Sequence, residues 1–441
     1  MDTFLNKLFT LVWGKGTVFM LMLCGLSFLI ACRFFPLHSM GHILKQTIGK
    51  CFRPKTIKDT ISPFDAMATA LGGTMGVGNI IGVASAIAIG GAGSIFWLWI
   101  AGICGMMIKY GEVFLAIKYR VRKDDSWCGG PMYYISRGLG IKSLAVLFAI
   151  CCVLASFGMG NMAQTNAAAG CLNKLCNLSP LTIALILGIT VAIIICGGMG
   201  RIVKVCSKLV PLMSLIYLLG AAWILFCNYT AILPAFSSIF TGAFGFNAIG
   251  GASFGLMWQA MQVGISKGIF TNEAGLGSAS IAHACSDESD PHIQGMWGIF
   301  EVFADTIVVC TITALVILTS DINCNSIVAS QVTAAAFYEG LGTLGGIIVN
   351  ISVVFFALAS VLGWCLYGEK AIDFLFKNSK AISYYRICFI FLAVIGAIIK
   401  LETVWLISDI INGIMLFPNM LALLMLCPEF ICPLIERHND D

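Results

Sequence analysis

The chain has 441 residues, of which 59% are hydrophobic and only 11% charged, and its formal net charge is +4. Soluble domains carry about 25% charged residues, so this composition excludes a protein whose whole surface faces water. Nucleic-acid binding is also excluded, because no basic groove or alternation of basic and aromatic residues occurs outside the segments that flank apolar stretches. The sequence therefore predicts an all-α integral membrane protein.

Long apolar stretches predict membrane-spanning helices. Eleven of them, numbered as spans 1–11, cover residues 17–34, 64–90, 94–119, 144–169, 181–198, 203–227, 252–270, 293–318, 344–366, 386–399 and 404–427. Span 1 ends in Cys32, Arg33 and Phe34 rather than in the small residues of a signal-peptide cleavage site, so we expect it to remain as a helix.

Basic residues alternate between the two sides of the predicted spans. They follow spans 1, 3, 5 and 9, at Lys45, Lys50, Arg53, Lys55, Lys58, Arg120, Arg122, Lys123, Arg137, Lys142, Arg201, Lys204, Lys208, Lys370, Lys377 and Lys380. Residues 228–251 and 320–340 contain no Lys or Arg. Since cytoplasmic loops carry the basic excess, we expect a multi-pass protein of the cell membrane with its N-terminus outside and its C-terminus in the cytoplasm. The amphipathic segment 38–52 would lie on the cytoplasmic surface.

Glycine interrupts two of the apolar spans. Span 2 contains LGGTMGVGN at residues 71–79, and span 7 leads into GISKGIFTNEAGLGS at residues 264–278. Spans 2–6 and 7–11 form two sets of five that each begin with an interrupted helix. Because five is odd, the second set starts from the opposite side of the membrane, which is the arrangement of inverted-repeat transporters.

Unwound backbone at membrane depth is tolerated only where it lines a cavity or binds a ligand. The free N–H groups of a half-helix suit a carboxylate, and free carbonyls suit a cation. Thr74, Asn79 and Ser360 add oxygen atoms that suit Na⁺. The alternative is that each glycine run only permits close helix packing.

The predicted domains follow from this division. They are an N-terminal helix with its cytoplasmic segment (1–60), a first five-helix repeat (61–228), an extracellular loop (229–251), an inverted second repeat (252–432) and a cytoplasmic tail (433–441).

Over nearly its whole length the chain resembles the alanine or glycine:cation symporter family. The resemblance is carried by stretches that include GTMGVGNIIGVASAIAIGGAGSIFWLWI, GGPMYYISRGLG, ISKGIFTNEAGLGSASIAHA and LASVLGWCLYGE. It implies a five-plus-five inverted-repeat fold and import of small neutral amino acids coupled to Na⁺, with no cofactor and no enzymatic reaction. Two alternatives remain within the family, a glutamine importer and coupling to H⁺; a channel is a third, with too few charges to line a pore.

The resemblance also implies two sets of site residues. The amino acid would contact Thr74, Gly76, Gly78, Asn79, Gln164, Gly268, Ile269, Phe270, Thr271, Asn272 and Trp364. Sodium would bind Gly72, Thr74, Met75, Asn79, Phe356 and Ser360. The family pattern has two adjacent hydroxyl residues in span 9, whereas this chain has Ala359 and Ser360. The rings of Trp364 and Phe270 would cap a pocket that favours alanine, glycine or serine.

Ionisable residues inside spans are functional candidates, because their burial is costly unless they are paired. Asp305 is predicted to lock two helices together or to relay protons, with Glu301 one turn earlier and Asp409 in span 11. We interpret Glu112 as a marker of the cytoplasmic interface, together with Lys109 and Lys118. Glu273 is predicted to hold an inner gate by pairing with Lys267 or with backbone N–H groups, and Asp65 to cap a helix or to lie at the membrane interface.

Four further predictions concern single polar or thiol groups. Gln164 is expected to share a helix face with Asn161, while Asn166 points elsewhere. His283 and His292 are interpreted as solvated residues of a cytoplasmic loop. Cys171 and Cys176 flank a short outer connection and are candidates for a disulfide.

Overall fold

The computed structural model describes residues 2–51, 60–123, 126–244, 251–322, 324, 327–399 and 402–440. These residues form helices almost throughout, with one antiparallel hairpin of Val121–Lys123 and Ser126–Cys128. The all-α membrane fold with two interrupted helices is thereby confirmed.

Each predicted span contains a helix. Spans 1–6 are Lys15–Ala31, the bent pair Pro63–Thr74 and Gly78–Gly90, Ser94–Lys118, Lys142–Cys176, Pro180–Ile195 and Gly198–Cys227. Spans 7–11 are Gly251–Asn272 followed by Ser278–His283, then Pro291–Leu318, Thr343–Phe376, Ser379–Ile398 and Glu402–Met425. In the described part of the chain, eight helices are long and apolar enough to cross a membrane, or nine with the bent pair. The helices of spans 5 and 7 lie outside that group, so the count of eleven remains a prediction.

The start of span 2 shows how local sequence sets a helix boundary. Ser62 is the N-cap, and its hydroxyl accepts a hydrogen bond from the backbone N–H of Asp65 at 3.2 Å and donates one to the Asp65 carboxylate at 2.7 Å. Pro63 occupies the first helical position, where its missing N–H costs nothing. The interpretation of Asp65 as a capping residue agrees with this geometry.

Short helices connect the spans or flank the first and last of them. They are Asp2–Val12, Phe35–His38, Met40–Gln46, Ile48–Cys51, Pro131–Arg137, Tyr229–Phe244, Ala329–Leu341 and Pro428–Asp440. The segment 229–251, predicted as an extracellular loop, contains the apolar helix Tyr229–Phe244, whose Phe240 ring packs on Phe96 of span 3 at 5.8 Å. The segment 38–52 is helical up to Cys51. Phe52 and residues 245–250 lie outside the described residues.

Span 3 runs through the centre of the fold and is buried along most of its length. It lies between spans 7 and 8, so polar side chains on span 3 face other helices rather than lipid. Among the described residues, three segments of π-helix add residues to a turn and rotate the side chains that follow: Gly78–Gly82 in span 2, Gly158–Met162 in span 4 and Phe303–Val309 in span 8. All three lie beside the candidate site.

All nineteen cysteines are free thiols. Cys171 and Cys176, the candidates for a disulfide, lie on one helix, Ala163–Cys176, and are both free thiols.

Candidate functional site

Span 2 is interrupted at residues 75–77, where its two halves bend by 53°. This is the interruption that the glycine run predicted. A Cβ atom on Gly76 would come within 2.8 Å of Ser360 Oγ and 3.1 Å of Gln164 Oε1. Only glycine fits there without displacing one of these side chains. The Val77 N–H donates to Gln164 Oε1 at 3.4 Å, so span 4 binds one of the backbone groups that the bend sets free.

The interruption of span 7 lies later than predicted. Helix Gly251–Asn272 continues through residues 268–272, and the chain leaves it over residues 273–277. Glu273, Gly275 and Gly277 there have φ angles of 52°, 98° and 76°, in the left-handed region. Five residues assigned to an unwound substrate site are therefore helical, namely Gly268, Ile269, Phe270, Thr271 and Asn272.

The earlier glycines of span 7 have a packing role instead. A Cβ atom on Gly268 would come within 2.8 Å of Ala101 Cβ in span 3, and one on Gly264 would overlap the carbonyl oxygen of Ser94. Small residues at such crossings let two backbones approach closely. For these two positions the alternative interpretation, close packing, is the correct one.

Glu112 and Asn419 hold the interruption of span 7. Glu112 Oε1 accepts a hydrogen bond of 2.8 Å from the Gly275 N–H and one of 2.7 Å from Asn419 Nδ2, and Asn419 Nδ2 also donates to the Gly275 carbonyl at 2.7 Å. Asn419 Oδ1 accepts a hydrogen bond from the Tyr134 hydroxyl. The interpretation of Glu112 as an interfacial marker is wrong, because its side chain is 0% exposed. It fixes unwound backbone that lipid cannot satisfy.

A second set of buried polar side chains joins spans 2, 7 and 8. Asn79 Nδ2 donates to Asp305 Oδ1 at 2.6 Å, Thr306 Oγ1 donates to Asp305 Oδ2 at 3.0 Å, and Asn272 Nδ2 donates to Thr306 Oγ1 at 3.2 Å. This geometry is that of the helix lock predicted for Asp305. Asn79 Oδ1 is buried and accepts no hydrogen bond. It is an oxygen atom that a bound cation can use.

Glu301 is the centre of a third buried set. Its Oε1 accepts a hydrogen bond from Thr74 Oγ1 at 3.3 Å and lies 3.6 Å from Lys109 Nζ. Its Oε2 lies 2.8 Å from His283 Nε2, and His283 Nδ1 lies 2.8 Å from Gln294 Nε2. Lys109 and His283 are 0% exposed, so the predictions of an interfacial lysine and a solvated histidine are wrong. The helix Ser278–His283 is buried along its whole length, so His283 lies inside the fold.

The residues predicted to bind sodium form two groups in space. Ser360 Oγ donates to the carbonyls of Gly72 and Gly73, each at 3.1 Å, so three oxygen atoms meet at the end of the first half of span 2. Met75 follows directly, and its N–H bonds the Leu71 carbonyl at 2.7 Å. The Phe356 side chain is fully buried, with its ring against Tyr217 at 6.2 Å. Thr74 and Asn79 face Glu301 and Asp305 instead.

The three amides of span 4 have separate roles. Asn161 and Asn166 both bind span 10, with Nδ2 donating to the carbonyls of Phe389 at 2.7 Å and Gly396 at 3.0 Å. Gln164 alone faces the interruption of span 2. The expected face shared by Asn161 and Gln164 is therefore wrong, because the π-helical segment Gly158–Met162 changes the helix period between them.

Trp364 is buried one turn after Ser360 on span 9. A Cβ atom on Gly160 would overlap the Trp364 side chain, so the indole lies directly on Gly160. Gly160 precedes Gln164 by one turn of span 4. Its ring packs on Tyr367 at 5.4 Å. The indole thus packs between spans 9 and 4, and its contact with the amino acid stays a prediction.

A cavity of about 290 Å³ reaches the interruption of span 2. It is lined by Phe9, Trp13, Val77, Gly78, Ile81, Gly82, Ser85, Gln164, Ser266, Lys267, Phe270 and Asp409. Gly78, Gln164 and Phe270 belong to the predicted substrate set. Thr74, Asn79, Asn272 and Trp364 lie deeper, in the buried polar sets or against span 4.

Most of these lining residues are absent from the predicted site sets. A signal was present in span 2, where Gly78, Gly82 and Ser85 are spaced as one face of a helix. No signal in the sequence indicated that Phe9 and Trp13 line the cavity, because their position depends on how the N-terminal helix packs. The predicted pairing of Glu273 with Lys267 does not occur: Glu273 Oε2 accepts from Ser278 Oγ at 2.6 Å, while Lys267 Nζ lies 5.6 Å from the centre of the Phe270 ring.

His292 is also placed differently from its prediction. It is partly buried, and its Nδ1 lies 2.8 Å from the hydroxyl of Tyr110 in span 3. No group of three or more His, Cys, Asp or Glu side chains with metal-binding geometry occurs among the described residues.

Comparison with known sequences places these features in a family. The sequence model of the sodium:alanine symporter family matches residues 1–438. The sodium/alanine symporter AgcS of Methanococcus maripaludis is 41% identical over 432 residues, which is 96% of this chain and 94% of that protein. The probable sodium/glutamine symporter GlnT of Bacillus subtilis is 34% identical, covering 94% of this chain and 86% of that protein.

Comparison with solved structures gives the fold. The chain superposes on a manganese transporter of Eremococcus coleocola with a TM-score of 0.56, covering 87% of this chain and 80% of that chain at 14% identity. At this identity the similarity concerns the fold alone.

Proposed function

The chain belongs to the sodium:alanine symporter family, and from this premise we propose that it imports small neutral amino acids, alanine or glycine, with Na⁺ by alternating access. At the coarser level, it is a multi-pass membrane transporter that couples amino-acid transport to Na⁺, and it is not an enzyme. The substrate, the direction and the residues involved belong to the proposal.

One observation carries the proposal: the cavity ends on the interruption of span 2, at Val77 and Gly78, beside Gln164. The helix that starts at Gly78 presents N–H groups and a partial positive charge, which suit a carboxylate. Gln164 supplies an amide for the other polar groups of the substrate. We expect Trp364, whose indole lies on Gly160 of span 4, to limit the space for the substrate side chain, which favours alanine or glycine over glutamine.

Sodium enters the proposal as a co-transported ion. The free Asn79 Oδ1 and the hydroxyl of Thr74 are hard oxygen ligands, and Asp305 and Glu301 beside them supply negative charge. The carbonyls of Gly72 and Gly73 with Ser360 Oγ form a second group of oxygen atoms at the same interruption. Bound Na⁺ would stabilise the arrangement of span 2 that binds the amino acid, which couples the two solutes.

Alternating access needs elements that separate and rejoin. The Glu301 set joins Thr74 of span 2 to His283 of span 7, and the Asp305 set joins Asn79 to Asn272. Each set thus connects the two interrupted helices through span 8. We expect them to move together as one bundle against the remaining spans.

The test is uptake of radiolabelled alanine, glycine and glutamine into proteoliposomes, with sodium and proton gradients imposed separately. We expect an inward Na⁺ gradient to concentrate alanine and glycine, and a proton gradient alone to leave them at equilibrium. Accumulation driven by protons alone, or preferential uptake of glutamine, would replace the proposal with one of its alternatives. Flux that does not saturate with alanine would indicate a channel.

A further inference from the structure

The cavity carries two opposite charges that the transport site described so far does not use. Lys267 lies on span 7, five residues before the helix ends at Asn272, and Asp409 lies on span 11. Both side chains line the cavity and both are partly buried. Among the described residues no ion pair joins them, and the nearest aromatic partner of Lys267 is Phe270, with Nζ 5.6 Å from the ring centre.

We propose that Lys267 and Asp409 form an outer subsite for a zwitterionic amino acid, with Lys267 binding the carboxylate and Asp409 the ammonium group. The proposal rests on the proposed function, since it concerns the same solute on its way to Gln164. It assigns a binding step to two residues outside both predicted site sets.

The chemistry of the two side chains matches such a solute. A free amino acid at neutral pH carries one positive and one negative charge a few bonds apart, and it can bridge an ammonium and a carboxylate. Partly buried charges inside a membrane protein are costly unless they are paired. A solute that neutralises both at once therefore binds favourably, whereas an ion with a single charge leaves one side chain unpaired.

The position of the subsite follows from the chain direction. The lining residues of span 2, from Val77 to Ser85, follow its interruption, and those of span 7, Ser266 to Phe270, precede its interruption. The first connection is the predicted cytoplasmic one, so these parts face the predicted outer side. Lys267 lies five residues, or about 7.5 Å of helix, before the end of Gly251–Asn272. A solute from outside would therefore meet Lys267 and Asp409 before it reaches Gln164.

The N-terminal helix forms a roof over this subsite. Phe9 and Trp13 line the cavity. Trp13 Nε1 donates to the Asp409 carbonyl at 2.6 Å, and a Cβ atom on Gly413 would overlap Val12. Glycine at 413 therefore lets the N-terminal helix sit directly on span 11. The two rings cover the charged pair with apolar surface, which lowers the local dielectric and strengthens charge pairing with the solute.

A double-mutant cycle tests the proposal against the simpler idea that the two residues only neutralise each other. The KM for alanine uptake is measured for Lys267→Gln, Asp409→Asn and the double variant. Each single change removes a charged contact to one end of the solute, so each should raise KM about tenfold. The double variant should show roughly the product of the two effects, because the residues hold different groups.

Two outcomes would overturn the proposal. One is a KM for alanine that is no higher in the double variant than in either single variant. That result would show that Lys267 and Asp409 only neutralise each other. The other is an unchanged KM in both single variants. Lys174→Gln and Asp321→Asn change exposed residues away from the cavity and are matched controls, with the wild-type KM expected.

Competition by incomplete analogues tests which end each residue holds. Propionate lacks the amino group and alaninamide lacks the carboxylate. We expect Lys267→Gln to weaken inhibition by propionate only, and Asp409→Asn to weaken inhibition by alaninamide only. The opposite pattern would contradict the assignment.

The conservative variants Lys267→Arg and Asp409→Glu separate binding from folding, since they keep charge and should keep KM within about threefold. Equal loss in the conservative and neutral variants would show a structural role and overturn the subsite. Failure of the subsite is distinguishable from failure of the proposed function. Sodium-driven alanine uptake with unaffected KM in all these variants would remove the subsite and leave the function intact.

Discussion

Asn79 donates a hydrogen bond to Asp305 across 2.6 Å, and its own side-chain oxygen is left buried without a donor. The amide is thus oriented by a carboxylate on span 8, with its oxygen turned away from that bond. Leaving a buried acceptor unsatisfied costs about 1–3 kcal/mol. A bound cation would remove that cost, which makes the pair the point at which Na⁺ binding and the shape of span 2 are coupled.

Replacing Asn79 or Thr74 with Ala should abolish sodium-driven alanine uptake while the protein stays folded. Each change removes an oxygen ligand from the end of the broken helix and leaves Asp305 or Glu301 with one polar partner fewer. The measurement is uptake into proteoliposomes alongside a size-exclusion profile. Asn173→Ala, which changes an exposed amide bonded to the Leu178 carbonyl, is the matched control. Unchanged uptake in either site variant would argue against the assignment.

Trp364→Ala should widen the substrate range. Removing the indole opens space beside Gly160 and Gln164, so larger side chains such as that of glutamine should compete with alanine at least tenfold better. Competition uptake with a series of neutral amino acids measures this. Tyr217→Phe, on a buried aromatic outside the cavity, is a control for core disturbance. The pocket assignment fails if the order of preference among substrates stays the same.

Gly275→Ala should destabilise the protein more than Gly140→Ala does. Both glycines have positive φ, 98° and 74°, but a Cβ atom on Gly275 would come within 2.6 Å of Leu21, whereas one on Gly140 meets nothing within 4 Å. Gly140→Ala thus measures backbone strain alone, about 1–2 kcal/mol. Thermal unfolding in detergent should give a lower Tm for Gly275→Ala. Equal Tm values would show that the turn at residues 273–277 is not tightly packed.

The docking of the C-terminal helix, Pro428–Asp440, should weaken at acid pH. Burial alone would raise the pKa of Asp290, but hydrogen bonds from Arg437 and from the His292 N–H outweigh it and lower the pKa below its usual 3.8. A carboxylate whose pKa falls on folding stabilises the folded form above its unfolded pKa. The contact is therefore present at neutral pH and is lost as the pH falls below about 4.

Hydrogen exchange in residues 428–437 measures this docking. At pH 6 these residues should exchange more slowly in the wild type than in Arg437→Gln. The difference in exchange rate should be less than about fivefold, because partly exposed ion pairs contribute at most about 1 kcal/mol. At pH 3 the two proteins should exchange alike. A wild type that stays better protected than Arg437→Gln at pH 3 would mean that Arg437 stabilises the helix without the ionised Asp290 carboxylate, which would contradict the prediction.

Sequence alone predicted the fold class and the first interruption well. The run from Gly72 to Asn79 combines glycine with Thr74 and Asn79 in an otherwise apolar span, and that contrast is local. The interruption of span 7 was misplaced because Gly264 and Gly268 look the same in sequence as glycines that unwind a helix. Their role is set by span 3, which lies directly against them in the fold.

The buried ionisable groups were harder to place. Glu112, Lys109 and His283 are flanked by basic or acidic residues that indicate a membrane surface, yet tertiary packing brings all three into the interior. The face of Gln164 was misjudged because the π-helical segment Gly158–Met162 changes the period, and periodicity arguments assume a regular helix. Such features depend on contacts between distant parts of the chain.

Mutual enhancement of binding is the most direct test of the central claim, that Na⁺ and the amino acid bind at one interruption of span 2. The purified transporter is titrated with alanine at several Na⁺ concentrations, with choline as replacement, and with Na⁺ at several alanine concentrations. We predict that each solute lowers the Kd of the other by the same factor, as linkage requires, and that Asn79→Ala removes the effect. An alanine Kd that is the same in Na⁺ and in choline would contradict the account.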